Sequence, residues 1–513
     1  MRSRNVSIVV FLTGAWAFGQ SPSRQALPPD VQAALGRIRA TSLRGDLSFL
    51  ASDLLEGRDT PSRGLDIAAE YIAAEFQIAG LEPGVADGYF QKAQMKVVEP
   101  NFANFELKLS RGEREFSVHP TDAILHLDAR MDLKVEPLFK LDLSDAERLD
   151  NLAASQVQGK VVITEFNPQL ISRLRTANRI LRRAKPALTI LVDPNGVTER
   201  QEPQHRLEDP ENPDEPSAVA SPRITLTGEA AAQFYAALKP GTSDASITAH
   251  IDAPIRKPVT LRNVIGILRG SDPALSDTAV MLTAHYDHLG VRDHLDTQPS
   301  GSGDRGDRIY NGANDDGSGV VSVIAAARAL ASLKQRPRRS ILFMTFFGEE
   351  EGLVGSNYYA HHPVWPLDKT IAQLNLEQVG RTDSTEGRQL SNATLTGFDY
   401  SDLTSYVQRA GRSTGIRIYK DTRNSDAYFT ESDNLSLAEV GVPAETLCVA
   451  FDYPDYHAVG DKWQKIDYDN LAKVDRAVAL ALYLMANSDQ PVRWNEANPN
   501  TAPYVKAWKQ RGQ

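Results

Sequence analysis

The sequence predicts an α/β protein, with a mixed, mostly parallel sheet carrying helices on both faces and a small inserted α/β domain. Three observations predict it. Between 259 and 487 apolar strands alternate with helical stretches, the pattern of a largely parallel sheet covered on both sides. The run at 340–347 is nearly continuously apolar, as strands buried on both faces are. Between 93 and 255 short β-like runs separated by polar stretches mark a unit of different character.

The elements follow in chain order. Residues 1–19 read as an export signal. Arg2 and Arg4 supply positive charge, 6–18 is a short apolar run, and Ala17-Phe18-Gly19 offers small residues for cleavage. The first part of the main domain occupies 20–125. Within it Leu65, Ala68, Ala69, Ile72, Phe76 and Ala79 recur at helical spacing, and Gly80 stops the helix. The insert is placed at 126–255, with strands at 159–165, 188–192 and 224–227, and a helix at 229–238. Its segment 201–217, rich in Pro, Glu and Asp, reads as an exposed loop. The second part of the main domain, 256–490, has strands at 263–269, 279–284, 340–347, 371–379 and 444–451. Helices are expected at 320–333 and 469–487. Residues 491–513 read as a loose C-terminal extension.

Composition narrows the function. The 513 residues are 41% hydrophobic and 24% charged, ordinary for a folded protein. The 56 basic and 66 acidic residues leave a formal charge of −10, which argues against a nucleic-acid binder. No segment after the leader is apolar and long enough for stable membrane insertion. A single cysteine, Cys448, excludes an internal disulfide and any cage of several thiolates; in an apolar strand it reads as an inert core thiol.

In sheets of this kind ligands bind beyond the carboxyl ends of the strands. The chemistry-bearing residues fall there. Strand 279–284 runs into His285-Tyr286-Asp287-His288, an imidazole with a carboxylate two residues on that can take its other ring nitrogen. Asn311-Gly-Ala-Asn-Asp315-Asp316-Gly-Ser-Gly319 opens the Ala-rich helix, where the backbone dipole favours anions. Strand 340–347 ends in Gly348-Glu349-Glu350-Glu351, strand 371–376 in Glu377, and strand 444–451 in a loop closing on His457. Two imidazoles and three carboxylates suit two borderline cations with one carboxylate between them, and a spare glutamate to manage a proton. His288 and His294 read as supporting or surface residues.

Together these motifs, with Phe347-Gly-Glu349-Glu350-Glu-Gly-Leu-Val-Gly355-Ser356, resemble the co-catalytic di-zinc aminopeptidase/carboxypeptidase family, clan MH. That family includes leucyl aminopeptidase-like and glutamate carboxypeptidase-like enzymes and glutaminyl cyclases. The resemblance implies a zinc exopeptidase fold and two Zn2+ ions, with Co2+ or Mn2+ as substitutes. It assigns His285 and Glu377 to one ion, Glu350 and His457 to the other, and Asp315 to both. Glu349 would be the general base acting on a water shared by the ions. Asp287 would orient His285, and Asp316 would fix the turn beside Asp315. Where the family usually has Asp, this chain has Glu377; where it has Ser-Asp-His, this chain has Ser432-Asp433-Asn434. For the aromatic hydroxyl that steadies an oxyanion, Tyr428 is the nearest candidate, with Phe429 aligning as well. The insert resembles a protease-associated domain, through 159–164, 187–193 and 221–227. The implied function is an exported aminopeptidase acting on peptides, with carboxypeptidase, glutaminyl cyclase and silent binding ectodomain as alternatives. Oligomeric state is not set by the sequence.

Overall fold

The computed structural model describes residues 27–194, 205–211, 222–292 and 306–511. The expected export signal at 1–19 lies outside the described residues, as does His294. Among the described residues no helix is long and apolar enough to cross a membrane.

The main sheet is ten-stranded and mixed. Its centre is parallel, in the order Ala444–Cys448, Thr370–Glu377, Ala279–His285, Ser340–Phe346. Antiparallel strands flank it: Ile255–Leu268 and Phe90–Glu99 on one side, Asn392–Leu395 on the other. All seven residues of Ser340–Phe346 are buried. Period-2 alternation divides them between two cores. Ile341 and Phe343 join one cluster with Val320 and Ile324 of helix Ser318–Ala331 and Leu480 of helix Tyr468–Ala486. Leu342, Met344 and Phe346 join another with Leu437 and Tyr504 on the opposite face. This two-sided burial explains why the strand has no polar alternation.

The second sheet has eight strands and its own cores. It spans Glu106–Arg111 to Gly241–Ile251, so it begins about twenty residues before the expected boundary at 126. The reason is non-local pairing. Glu106–Arg111 lies antiparallel to residues 245–250, and Leu107 and Leu109 enter the second core.

Two further expectations change. Part of the supposed loop 201–217 is a strand, Arg206–Glu208, paired with Lys96–Val98 at the edge of the main sheet. Leu207 is 1% exposed and packs in the main core, which holds this excursion down; 201–204 and 212–217 lie outside the described residues. The C-terminal tail is not loose. Trp494 stacks on Tyr504 at 5.3 Å and donates its indole N–H to the Gly441 carbonyl at 3.1 Å. Helix Ala502–Arg511 is thereby docked against the core beside Phe429.

Candidate metal centre

The central parallel strands deliver their carboxyl ends to one cleft. His285 closes strand Ala279–His285 with no exposed surface. Asp315 sits in the turn Ala313–Gly317 that feeds helix Ser318–Ala331. Glu349 and Glu350 follow Ser340–Phe346, Glu377 ends Thr370–Glu377, and His457 lies in the loop after Ala444–Cys448.

All five expected ligands, with Glu349 and Asp287, meet. His285 Nε2 is 3.2 Å from Asp315 Oδ1 and 3.3 Å from Glu377 Oε1. His457 Nε2 is 3.1 Å from Asp315 Oδ2 and 3.3 Å from Glu350 Oε2. The two oxygens of Asp315 therefore face different imidazoles. Glu349 Oε2 is 3.9 Å from His285 Nε2. These separations fit a bound ion: ligands on a tetrahedral zinc with bonds of roughly 2.0–2.1 Å stand about 3.3–3.4 Å apart. The donor set of imidazole and carboxylate also suits zinc.

Electrostatics point the same way. Burial drives the Glu349 and Glu377 carboxyls upward, against the pull of His285. Burial also opposes ionisation of Asp315, but His285 and His457 outweigh it and hold that carboxyl well below its ordinary range. For His457 burial disfavours the charged ring, and Glu350 and Asp315 overcome it, raising the imidazole to about 9. The carboxyls of Asp315, Glu349, Glu350 and Glu377 thus depend on the imidazoles of His285, His288 and His457 for opposite charge, a service that a bound cation would also supply.

Supporting residues fix this geometry. Asp287 Oδ1 lies 3.5 Å from His285 Nδ1, and its carboxylate accepts the backbone N–H groups of Glu349 at 3.2 Å and Glu350 at 3.3 Å. Asp316 accepts from the N–H groups of Gly319 at 3.0 Å and Gln378 at 3.2 Å, tying the turn to the Glu377 strand. Gly312 has φ of 54°, and a Cβ there would meet the Asp315 carbonyl oxygen at 2.3 Å and the His288 ring at 2.4 Å, so only glycine fits. The extra length of Glu377 is taken up by Ser432, whose hydroxyl donates to Glu377 Oε2 at 2.8 Å.

Several residues escape sequence reasoning. Arg58, 1% exposed, donates to the carbonyls of Tyr286 at 2.8 Å, Asn311 at 2.7 Å and Gly312 at 2.9 Å. Asp461, fully buried, accepts the N–H groups of Asn314 and Asp315. Their partners lie far along the chain, and no local motif marks them. His288 is buried rather than on the surface; its Nδ1 is 2.7 Å from Glu350 Oε1, and it is a second imidazole within reach of Asp315 and Glu350. Its spacing of three from His285 was the available signal. Of the aromatic pair, Phe429 is buried against Tyr400 and Tyr504, whereas Tyr428 lines the cleft and stacks on Phe451 at 4.9 Å. Cys448 is a buried free thiol.

A mixed sheet that brings two imidazoles and three carboxylates to the ends of its parallel strands is the framework of a metal-dependent hydrolase. Residues 263–482 match the profile of peptidase family M28. Aminopeptidase YwaD of Bacillus subtilis is 28% identical over 233 residues, 44% of this chain and 44% of that protein. A "Probable zinc metalloprotease" of Leptosphaeria maculans is 32% identical over 134 residues, 26% of this chain and 27% of its own length. The chain thus spans from about a quarter to under half of these curated relatives. Among solved structures, an aminopeptidase from Aneurinibacillus sp. strain AM-1 aligns with a TM-score of 0.56 at 19% identity, over 91% of this chain and 97% of that one. A zinc aminopeptidase from Bacillus subtilis gives 0.54 at 19% identity, over 87% and 95%. At that identity they establish a shared fold.

Proposed function

We propose that the chain is an exported di-zinc metallo-exopeptidase, an aminopeptidase that releases N-terminal amino acids from peptides. The observation that carries this reading is the placement of Asp315 between His285 and His457, at 3.2 and 3.1 Å. His285 and Glu377 would hold one ion, Glu350 and His457 the other, and Asp315 both. His288 would fix Glu350 from its far oxygen. Two divalent ions so held supply electrophilic polarisation of a carbonyl and make water at the site more acidic.

The chain's own groups manage the rest. Glu349 takes the proton from the attacking water and gives it to the leaving amine, which its place beside the ligand cluster supports. Asp287 aims Glu349 and Glu350 through their backbone N–H groups. Tyr428 stands at the cleft with its ring held by Phe451, placed to donate to a developing oxyanion.

The charge of the cleft supports cleavage from the N-terminal end. A carboxypeptidase needs a cation to receive the substrate's terminal carboxylate. Among the described residues lining the cleft there is no Lys or Arg, and Glu431 adds a further carboxylate. That lining suits a free α-ammonium group instead. Export rests on the N-terminal pattern of the sequence, and the second sheet is read as a non-catalytic, protease-associated-like insert. The test is a panel of peptides with free and N-acetylated termini. Release of N-terminal residues from the free peptides alone supports the reading; cleavage of blocked peptides from the other end moves it to carboxypeptidase.

A further inference from the structure

A second group of metal-type donors lies outside the cluster just described. Asp59, His205 and Glu351 each bring one donor atom within 4.8 Å of the others. They come from three places: the segment after Arg58, the excursion of the second sheet onto the main sheet, and the end of the Glu349-Glu350-Glu351 run. The Glu351 side chain is 3% exposed and that of His205 14%. The ion-pair partner of Glu351 is His205 Nε2 at 3.5 Å. A carboxylate this deeply buried is costly without a counter-charge or donors. Asp59 accepts from the Thr60 N–H at 2.9 Å, and His205 Nε2 lies 2.5 Å from the Thr60 carbonyl oxygen, a hydrogen bond that an ion on that nitrogen would displace. Arg292 faces Asp59 as well and supplies part of the positive charge.

We propose that Asp59, His205 and Glu351 form a separate mononuclear site for a borderline divalent cation such as Zn2+. One imidazole and two carboxylates are a donor set for that class of ion. The ion replaces the proton on His205 Nε2 and sits between that nitrogen and the carboxylates. Its role is a clamp. Strand Arg206–Glu208 adds to the main sheet next to His205, and Leu207 packs close to Gly348 at the start of the carboxylate run. An ion here would fasten the second sheet to the loop that carries Glu349 and Glu350.

The test is metal stoichiometry in the full chain after saturation with zinc and desalting. His205→Ala and Asp59→Asn should each hold one equivalent fewer than the unaltered protein. The last equivalent should raise the melting temperature of the unaltered protein and not that of His205→Ala. Two variants guard against misfolding in either, checked by circular dichroism. The comparison is a difference of one ion, so it stands whether the Asp315 cluster holds two ions, one or none. Equal metal content in all three proteins would overturn the proposal and leave His205 as an ion-pair latch.

Discussion

The Asp461 carboxylate accepts the backbone N–H of Asp315 at 3.1 Å, 146 residues away in sequence. The same group accepts the Asn314 N–H at 2.9 Å and the Tyr453 hydroxyl at 3.0 Å. It thus fixes the turn that points Asp315 at both imidazoles. Asp461→Ala should leave two buried N–H groups unpaired and weaken metal binding roughly 10–100-fold, the usual cost of losing a supporting partner. Competition with a chelator measures this; unchanged affinity would show that the turn holds its shape alone.

On the proposed reading Glu349 moves a proton and does not hold an ion. Glu349→Gln should retain the full metal complement and lose activity by about 10²–10⁴-fold. Loss of metal together with activity would instead make Glu349 a ligand.

Glu377 reaches His285 by its extra methylene, braced by the Ser432 hydroxyl at 2.8 Å. Asn375 Nδ2 in turn donates to Ser432 Oγ at 2.9 Å. In this setting Glu377→Asp should lower occupancy of one ion, although the shorter acid is the usual residue of the resembled family. Metal content in the variant equal to that of the unaltered protein would show that the backbone adjusts.

Burial raises the Asp475 carboxyl, in helix Tyr468–Ala486, to about 8. The folded chain keeps this proton where the unfolded chain, with an ordinary carboxylate near 4, has released it. Its contribution to stability is therefore full below about pH 4 and is lost as pH rises through about 8. Asp475→Asn should melt higher than the unaltered protein at pH 8.5, and the gap should narrow towards pH 5. A gap constant across that range would contradict the assignment.

Trp494 ties the C-terminal helix to the core. Trp494→Ala should cost roughly 3–5 kcal/mol, as removal of a buried aromatic does. Denaturant unfolding checks it, and a loss under 1 kcal/mol would mean the tail is dispensable.

What was legible in the sequence is what carries its meaning locally. His285, Asp315, Glu349, Glu350, Glu377 and His457 each follow a strand or open a helix, so the rule that ligands bind at strand ends located them before any contact was known. The apolar run 340–347 marked its strand to within a residue, whereas the strand expected at 263–269 begins at Ile255 and the one expected at 444–451 ends at Cys448. The start of the second sheet was not legible, because residues 106–111 are defined by pairing with 245–250. Nor were Arg58 and Asp461, whose hydrogen bonds reach carbonyls and N–H groups more than a hundred residues away. Arg206–Glu208 was hidden by its polar neighbours, since only Leu207 marks it as buried. The tail was misjudged because Trp494 and Tyr504 are too far apart in sequence to show periodicity.

The most direct measurement is anomalous diffraction at the zinc edge from crystals of the protein loaded with zinc. Two peaks about 3.5–4 Å apart, one on each side of the Asp315 carboxylate, are expected. One should lie against His285 and Glu377, the other against Glu350 and His457. A single peak there, or none, would contradict the di-zinc account.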